Sequence, residues 1–414
     1  MDELREFVSS LVGFESTDGA EAGVSAWLAD RLDEFGFEVY EWTADGEVLA
    51  GHPSFPDDPG DIQTADRPSV GGVLEFGDPA AGPTVVLNGH LDVVPADEQR
   101  WSSPPFEARW HGDELTARGA ADMKSGLAGC VFAARRLASS DRDLDGRVVV
   151  EGVVGEEAGG VGAAAAALDN PYPFERDAAI VAEPTELTPV VACEGSVMKR
   201  LEIAGRSAHA ATPWRGEDVL EHFQAVRSAF EALAAEREQR VTHPLYEDFP
   251  TKWPVVCGTV EAGEWASTVP SSLTAEWRIG VAPGETVAEV EAAFDAALDE
   301  VVADSEWLRE HPPAFERFSV QFEPSAVDPS EPVVQAVASA LREHDAGDPE
   351  PRGVTYGADA RHYVETGIPT VVFGPGSIEQ AHFPDETIDA REVETFVDVA
   401  VDAVDDFLRS QSSR

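Results

Sequence analysis

Residues 147–157 read Arg-Val-Val-Val-Glu-Gly-Val-Val-Gly-Glu-Glu. The run is short, apolar and rich in valine, so it predicts a buried strand over Arg147–Val154. Glu156 and Glu157 follow it, and two charges at the end of a buried strand are costly unless something pairs with them. Both side chains can serve one site only if the chain bends there, and the following Ala158-Gly159-Gly160 permits such a bend. The stretch therefore predicts an acidic site at the end of a sheet strand.

Four further side chains that bind metals stand where apolar runs give way to turns or helices. In chain order they are His90 after the strand Thr84–Asn88, Asp122 before the helix Met123–Ala138, Glu183 after the strand Ala178–Ala182, and His382 after Thr370–Phe373. In an open parallel sheet, the carboxyl ends of the strands line the crevice where ligands bind. Imidazole and carboxylate together suit Zn2+ and related ions rather than Ca2+ or a thiolate-bound metal. The pattern predicts a metal-dependent hydrolase.

The order of these motifs along nearly the whole chain resembles the M20 metallopeptidase family. That family holds acetylornithine deacetylase, succinyl-diaminopimelate desuccinylase, aminoacylase and glutamate carboxypeptidase. The resemblance implies two divalent metal ions, with Zn2+ expected and Co2+ or Mn2+ as alternatives that accept the same ligands. It assigns His90 and Glu183 to one ion, Glu157 and His382 to the other, and Asp122 to both.

Two acids near these ligands receive other roles from the resemblance. Asp92, in Asn88-Gly89-His90-Leu91-Asp92, would orient the His90 ring from behind, as carboxylates commonly do for ligating imidazoles. Glu156 would be the general base, which takes a proton from the attacking water and passes it to the leaving amine. A metal can lower the pKa of such a water to roughly 7, so the reaction can run at neutral pH.

A chain of 414 residues is expected to form two domains. Residues 195–323 read as an inserted β-α-β-β-α-β unit, the ferredoxin-like arrangement. Its predicted elements are, in order, the strand Val197–Ala204, the helix Glu217–Glu236, the strands Val255–Glu261 and Leu273–Val281, the helix Glu285–Val302 and the strand Phe318–Phe322. The flanking residues 1–194 and 324–414 alternate strands with helices such as Val333–Glu343. They predict a three-layer α/β catalytic domain with a mostly parallel sheet.

One segment of the insertion, Gly205–Pro213, resembles the lid segment of the M20 family. The resemblance implies that the insertion is a lid and that two chains form a homodimer through it. It also implies that His209 reaches the active site of the other subunit and stabilises the oxyanion that forms there. The alternative is a loop histidine that only caps local backbone.

Substrate binding is predicted from fewer residues. Arg278 and Arg361 match family positions near the carboxylate of a bound amino acid, and a guanidinium can pair with a carboxylate through two hydrogen bonds. The alternative is that each arginine pairs with one of the many neighbouring acids. The turn that contains Gly374 and Gly376 is also expected beside the substrate. One stretch departs from the family, because Ser267-Thr268-Val269-Pro270 stands where Asn-x-x-Pro is common.

These observations predict an amidohydrolase that removes an acyl group from an N-acyl amino acid, of the acetylornithine deacetylase or succinyl-diaminopimelate desuccinylase type. Glu183 supports this prediction, because family aminopeptidases and some dipeptidases tend to carry Asp there. A dipeptidase or carboxypeptidase acting on a short peptide is the nearest alternative. A serine enzyme is disfavoured, since Ser196-Val197-Met198-Lys199 matches S-x-x-K but lies in a strand-like run without K-T-G. A metal-binding protein without activity would lack a base, and Glu156 is present.

The chain carries 79 acidic and 29 basic residues, which gives a formal charge of −50. Self-repulsion of that size destabilises a compact fold in dilute buffer, whereas molar salt screens it because the Debye length falls to about 3 Å. The acids are dispersed along the chain, so we interpret the charge as that of a halophile's protein. An acidic enzyme from a mesophile is the alternative. No basic stripe is present to bind nucleic acid, and we expect no such partner.

The remaining features favour a cytoplasmic enzyme. The three cysteines, Cys130, Cys193 and Cys257, are odd in number and form no C-x-x-C, so neither a disulfide framework nor a thiolate zinc site is predicted. The first residues are charged and follow a helical pattern, unlike a signal peptide. No run approaches the ~20 apolar residues of a membrane span, and we expect no membrane partner.

Overall fold

The computed structural model describes residues 2–17 and 19–411. The chain divides into two compact units. The first comprises Met1–Val191, Ala326–Arg352 and Ala358–Arg414, and the second comprises Ala192–Ser325 and Gly353–Gly357.

The strands of the described residues are, in chain order, β1 (Glu38–Thr43), β2 (Pro68–Phe76), β3 (Thr84–His90), β4 (Arg109–His111), β5 (Glu114–Thr116), β6 (Gly146–Val153), β7 (Ala178–Val181), β8 (Val190–Cys193), β9 (Gly195–Ala204), β10 (Val255–Ala262), β11 (Ser272–Val281), β12 (Ala314–Arg317), β13 (Ser325–Ala326), β14 (Arg352–Val354), β15 (Thr370–Val372) and β16 (Thr387–Asp389). Their α-helices are α1 (Asp2–Val12), α2 (Ala22–Glu34), α3 (Gly46–Leu49), α4 (Ser125–Ala138), α5 (Val161–Leu168), α6 (Val219–Arg240), α7 (Val287–Asp304), α8 (Glu306–Glu310), α9 (Pro332–His344), α10 (Ala360–Glu365) and α11 (Ala390–Gln411). None of these helices is long and apolar enough to cross a membrane.

A large mixed sheet forms the framework of the first unit. Seven of its nine strands run in the order β1-β2-β6-β3-β7-β15-β8, and β13 and β14 complete it beside β8. The four strands β6, β3, β7 and β15 are parallel, while β1, β2 and β8 pair antiparallel at the two sides. Every residue of β3, β7 and β15 is buried, as expected for parallel strands covered on both faces. The prediction of an α/β domain with a largely parallel sheet is confirmed.

The register of the parallel strands brings their carboxyl ends to one edge of the sheet. His90, the last residue of β3, pairs with Val153 at the end of β6. Two residues earlier, Asn88 pairs with Val181 at the end of β7. The segments that leave β3, β6 and β7 therefore start at the same edge, where α/β sheets bind their ligands.

The second unit is built on an antiparallel sheet of four strands in the order β10-β11-β9-β12. With α6 and α7, and apart from the short α8, its chain order is the predicted β-α-β-β-α-β of a ferredoxin-like unit. In its core, the ring of Phe230 packs against Trp277 and Phe294 at centroid distances of 5.2 and 5.1 Å. The side chain of Asp218 caps the start of α6. A capping box formed by Thr286 and Glu289 caps the start of α7.

The last strand of this unit differs from the prediction. It spans Ala314–Arg317 rather than Phe318–Phe322, where the described pairing is a single isolated bridge. In both segments, the alternation of apolar and polar side chains suits a strand. Phe315, however, pairs with Leu201 of β9 and packs against the core of the unit. Burial of that ring favours the earlier register.

Candidate metal centre

Side chains from five segments of the first unit come together in two groups. His90, Asp122 and Glu183 form one group, and Asp122, Glu157 and His382 form the other. Within each group, the potential ligand atoms all lie within 4.8 Å of one another. Because Asp122 belongs to both groups, these side chains can hold two ions that share one carboxylate.

His90 and Asp122 are in direct contact inside the first group. The Nε2 atom of His90 lies 3.0 Å from Oδ1 of Asp122, and both side chains are buried. On the other side of the ring, Nδ1 donates to the backbone carbonyl of Asp92 at 2.9 Å. A carbonyl only accepts, so the proton of the neutral ring lies on Nδ1 and the lone pair on Nε2. That tautomer suits a ligating histidine.

His382 joins the second group from the segment after β15. Its Nε2 atom lies 3.0 and 3.3 Å from the two carboxylate oxygens of Glu157 and 3.7 Å from Oδ2 of Asp122. The backbone of His382 has φ 64°, a left-handed conformation that is uncommon for residues with a side chain. Its side chain is 55% exposed, whereas that of His90 is 1% exposed. The second group is therefore the more accessible of the two.

Glu156 and Glu157 lie in a tight turn rather than at the bend of a strand. β6 ends at Val153, and Glu156–Ala158 form a single 3-10 turn. Gly155 before the turn has φ 75° and Gly159 after it has φ 104°, values that glycine adopts without steric cost. Glu157 joins the second group through this turn, whereas Glu156 belongs to neither group.

Asp92 holds the turn through its carboxylate. Its Oδ1 atom accepts hydrogen bonds from the backbone N–H groups of Gly155 and Glu156 at 2.8 and 3.2 Å, and Oδ2 accepts from Glu157 at 3.0 Å. The sequence predicted that this carboxylate would orient His90. That contact is made by the backbone carbonyl of Asp92 instead, since Oδ1 lies 3.8 Å from His90 Nδ1. Asp92 thus positions the imidazole and the glutamate turn with different atoms.

Buried carboxylates crowd this site. Burial, followed by the charges of Asp359 and Glu183, raises the pKa of Glu156 well above its usual value. The pKa of Glu183 is also raised well above its usual value, by burial first and then by neighbouring acids. Such an arrangement is costly unless cations compensate it. The donor set of imidazole and carboxylate also suits Zn2+ and related ions. Charge and ligand chemistry therefore both fit a pair of divalent metals.

A buried acid that the sequence analysis did not select organises the segment around Asp122. Glu386 accepts backbone N–H groups from Gly119, Ala121 and Asp122 at 3.0, 2.7 and 3.0 Å. It also accepts from the guanidinium of Arg118 at 2.8 Å. In a chain with 79 acids, a single glutamate carries no distinctive signal, so only the fold identifies it.

Asp359 is a second acid that the sequence analysis did not select. It is 1% exposed, and neither of its carboxylate oxygens has a hydrogen-bond partner among the described residues. Burial raises its pKa to about 6. Gly160 lies against it so closely that a Cβ there would be 2.3 Å from Oδ1. Among the neighbouring acids, Asp359 has the largest effect on the pKa of Glu156.

The glycine turn after β15 lies against the segment that carries Glu183. A Cβ on Gly374 would be 2.5 Å from the carbonyl oxygen of Glu183, so only glycine permits this approach. The N–H of Gly374 donates to Oγ1 of Thr185 at 3.1 Å, and Gly376 is left-handed at φ 89°. The carbonyl of Gly376 accepts the N–H of Glu186 at 2.8 Å, so both glycines contact the segment that follows β7.

Both arginines predicted to bind a carboxylate have partners within their own units. In the first unit, Arg361 is buried and donates to the carbonyl of Gly159 at 2.8 Å. In the second unit, Arg278 lies 3.2 Å from the buried carboxylate of Glu194 and donates to the carbonyl of Thr355 at 3.0 Å. Arg278 thus has the acidic neighbour that was the alternative to substrate binding. Burial raises the pKa of Glu194 to about 8 although Arg278 opposes the shift.

His209 lies in an exposed loop of the second unit. Its Nδ1 atom accepts a hydrogen bond from the N–H of Ala211 at 3.0 Å. The proton of the neutral ring therefore lies on Nε2, which is left as a donor. His209 forms an isolated β-bridge with Thr268, and the N–H of Ala210 donates to the carbonyl of Ser267 at 2.9 Å. The stretch that departs from the family pattern thus supports this loop.

Comparison with known proteins places the chain in a family. The model of peptidase family M20/M25/M40 matches residues 86–406. An acetylornithine deacetylase of Erwinia tasmaniensis is 30% identical over 331 residues, which are 78% of this chain and 80% of that protein. An N-formyl-4-amino-5-aminomethyl-2-methylpyrimidine deformylase of Bacillus subtilis is 23% identical over 425 residues, or 97% of this chain and 94% of that protein.

Solved structures give the same result for the fold. The crystal structure of an M20 family metallo-carboxypeptidase from Sulfolobus solfataricus matches with a TM-score of 0.75 at 15% identity, over 99% of this chain and 100% of that chain. With the family model matching most of its length, this chain belongs to peptidase family M20/M25/M40 and is a metal-dependent hydrolase of amide or peptide bonds.

Proposed function

We propose that this chain is an amidohydrolase with two metal ions that removes the acyl group from an N-acyl amino acid. The observation that carries the proposal is the sharing of Asp122 between two groups of ligands, with Glu156 beside Glu157 and in neither group. In this arrangement the carboxylate of Glu156 would bind neither ion. Amide hydrolysis needs such a group, because a proton must move from the attacking water to the leaving amine.

The five grouped side chains would divide between the two ions. His90, Asp122 and Glu183 would hold one ion, and Asp122, Glu157 and His382 the other. When bound, the ions would polarise the amide carbonyl and lower the pKa of the attacking water. Zn2+ is the metal we propose, and Co2+ or Mn2+ would accept the same ligands.

Glu156 would act as the base and then as the acid. The turn that carries it is held by the carboxylate of Asp92, so its backbone has a fixed position. Burial and neighbouring acids raise its pKa well above the usual value. It therefore keeps a proton at a higher pH than an exposed glutamate does. A residue that first accepts a proton and then delivers it to the amine needs this property.

We also propose a homodimer in which His209 of one subunit donates to the oxyanion formed in the other. The tautomer of His209 suits the role, because Nε2 carries the proton. Self-association through the second unit is supported by its edge strand β10, which ends the sheet and exposes Val256 and Val260. Exposed apolar edge strands tend to pair with another chain. Trp214 and Trp265 of the same unit are exposed as well.

The substrate class is supported by the relatives. One is named an acetylornithine deacetylase and another a pyrimidine deformylase, and both names describe removal of an acyl group. Arg278 would bind the carboxylate of the amino acid in exchange for Glu194. Because the deformylase aligns over 97% of this chain, an N-formyl aminopyrimidine is the second candidate substrate. A metallo-dipeptidase or carboxypeptidase activity on the same fold is the remaining alternative.

A substrate screen tests the proposal. The purified protein would be assayed in high salt with Zn2+, Co2+ or Mn2+ against N-acetyl and N-succinyl amino acids, an N-formyl aminopyrimidine and dipeptides. Glu156→Gln serves as the inactive control, so that contaminating hydrolases are recognised. We expect turnover of N-acyl amino acids. Turnover confined to the formyl compound would support the second candidate, and turnover confined to dipeptides would contradict the proposal.

A further inference from the structure

Glu386 is a buried carboxylate whose two oxygens are fully used. Oε1 accepts the backbone N–H groups of Ala121 and Asp122 at 2.7 and 3.0 Å. Oε2 accepts the N–H of Gly119 at 3.0 Å and the guanidinium of Arg118 at 2.8 Å. The side chains of Glu386 and Arg118 are 0% and 4% exposed, so the ion pair is shielded from solvent.

Arg118 extends this contact to the segment that carries His382. Its Nη1 atom lies 3.4 Å from the carbonyl oxygen of Phe383, and Nη2 lies 3.5 Å from that of His382. The guanidinium also lies over the ring of Trp101, 5.1 Å from its centroid. One buried ion pair therefore contacts the backbone of Asp122 and, through the arginine, the backbone of His382. These two residues belong to the same ligand group.

The backbone around Asp122 needs such a partner. Gly119 is left-handed at φ 79°, and Asp122 has φ −117° and ψ 100°, which are not helical values. The predicted helix from Met123 in fact begins at Ser125. Because the segment is irregular, the N–H groups of Gly119, Ala121 and Asp122 do not donate to the carbonyls of a helix. They donate to the carboxylate of Glu386 instead. A buried N–H without an acceptor costs as much as a lost hydrogen bond. The carboxylate thus determines where the segment lies.

We propose that Glu386, together with Arg118, is a positioning residue for the metal centre. It fixes Asp122 and His382 relative to each other and thereby sets the affinity of the group formed by Asp122, Glu157 and His382. The inference rests on the proposed function, since it takes these side chains to be metal ligands. The group of His90, Asp122 and Glu183 shares only Asp122 with this ion pair, so its affinity depends on Glu386 less.

The test measures Co2+ binding rather than activity. Metal-free protein in high salt is titrated with Co2+ by calorimetry, and the visible absorption of bound Co2+ is recorded in parallel. Glu386→Gln keeps the shape of the side chain but places an amide N–H2 against two of the four donors. Arg118→Lys keeps the charge and removes the fork that reaches the carbonyls of the His382 segment. If Glu386→Gln does not fold, Arg118→Lys carries the test alone.

Glu285→Gln is the matched control. Glu285 is also a largely buried acid that accepts from one arginine, Arg237, and from one backbone N–H, that of Ala282. It lies in the second unit and belongs to neither ligand group. A loss of general stability through a broken buried ion pair should therefore be seen in both Glu285→Gln and Glu386→Gln, whereas a change in Co2+ binding should be seen only in the latter.

The wild type should bind two Co2+ ions per chain. In Glu386→Gln, one ion should bind roughly 10- to 100-fold more weakly, the loss usual for residues that support metal ligands, with a changed absorption spectrum. Glu157→Gln identifies the affected ion, because it removes a ligand of the same group. Equal Co2+ affinities in the wild type, Glu386→Gln and Arg118→Lys would overturn the inference while leaving the proposed function intact. A wild type that binds no Co2+ would overturn both.

Discussion

The carboxylate of Asp92 accepts a hydrogen bond from the backbone N–H of Glu157 at 3.0 Å, while its backbone carbonyl accepts one from His90 at 2.9 Å. His90 and Glu157 belong to different ligand groups. A single buried residue therefore positions one member of each group, and it also holds Glu156 through the same turn. Glu156 and the two groups of candidate ligands therefore share one support, so their relative positions are coupled.

The first prediction separates the base from the ligands. Glu156→Gln should lower kcat by roughly 10²- to 10⁴-fold, the usual contribution of a general base, because the amide cannot accept the proton. Its metal content should equal that of the wild type, since Glu156 belongs to neither ligand group. Glu157→Gln should instead bind one ion less. Metal analysis by mass spectrometry, combined with kinetics, checks both variants, and equal metal loss in the two would refute the division of roles.

The second prediction concerns salt. A formal charge of −50 makes the folded chain repel itself in dilute buffer, and molar salt screens that repulsion. The melting temperature should therefore rise steeply between low and molar KCl. Sucrose at matched osmolarity is the control, because it does not screen charge. A melting temperature that stays flat across the KCl series would leave the interpretation as a halophile's protein without support.

The third prediction concerns His209. Its replacement by alanine should reduce kcat by roughly 10²- to 10³-fold with little effect on KM, because an oxyanion donor acts mainly in the transition state. A mixed dimer tests whether the histidine acts across subunits. A subunit with His209→Ala is combined with a subunit with Glu156→Gln, and each is expected to be strongly impaired as a homodimer. One site of the mixed dimer then has an intact base and a donated intact histidine.

Activity should therefore partly return in the mixture. The presence of mixed dimers is confirmed by tagging the two subunits differently and purifying on both tags. Without recovery in confirmed mixed dimers, His209 would serve its own subunit or hold only the loop in which it lies.

The fourth prediction concerns pH and the second unit. Burial raises the pKa of Glu194 to about 8 in the folded chain, whereas the pKa of a glutamate in an unfolded chain is about 4.3. Between these values the folded state binds one proton more than the unfolded state. The free energy of unfolding should therefore fall as the pH rises through this range, by about 1.4 kcal/mol per pH unit.

Glu194→Gln removes the group that binds this extra proton, because an amide side chain does not titrate in this pH range. The difference in melting temperature between the variant and the wild type should shift in favour of the variant as the pH rises from 5 to 8, in constant high salt. Glu202→Gln, at an exposed position on β9, is the control. Parallel pH profiles for the wild type and Glu194→Gln would show that the buried carboxyl does not titrate in this range.

Much of the candidate site could be predicted because its candidate ligands follow apolar runs. His90, Glu157 and Glu183 stand next to strands whose valines and isoleucines mark them clearly, and parallel strands end at one edge of the sheet. The ferredoxin-like unit could also be predicted, since the spacing of apolar residues along the chain differs between its strands and its helices. The error at its last strand came from two adjacent segments that both alternate, of which only Ala314–Arg317 places an aromatic ring in the core.

The supporting residues could not be predicted in this way. Glu386 contacts a segment 264 to 268 residues away, and its four donors are mostly backbone groups that leave no trace in the sequence. Asp359 is one of 79 acids in the sequence, and only the fold shows that it is buried and lies against Gly160. For Asp92, the sequence predicts a contact with His90, but it does not tell whether the backbone carbonyl or the carboxylate faces the imidazole.

Whether metal-free protein hydrolyses its substrate decides whether the two metal ions are needed for the reaction. The protein would be stripped with a chelator, shown to contain no metal, and then titrated with Zn2+ while the hydrolysis of an N-acyl amino acid is followed in high salt. We expect no hydrolysis by the stripped protein and a recovery that is complete at two ions per chain, because the five grouped side chains could hold two ions. Undiminished hydrolysis by protein that contains no metal would contradict this expectation.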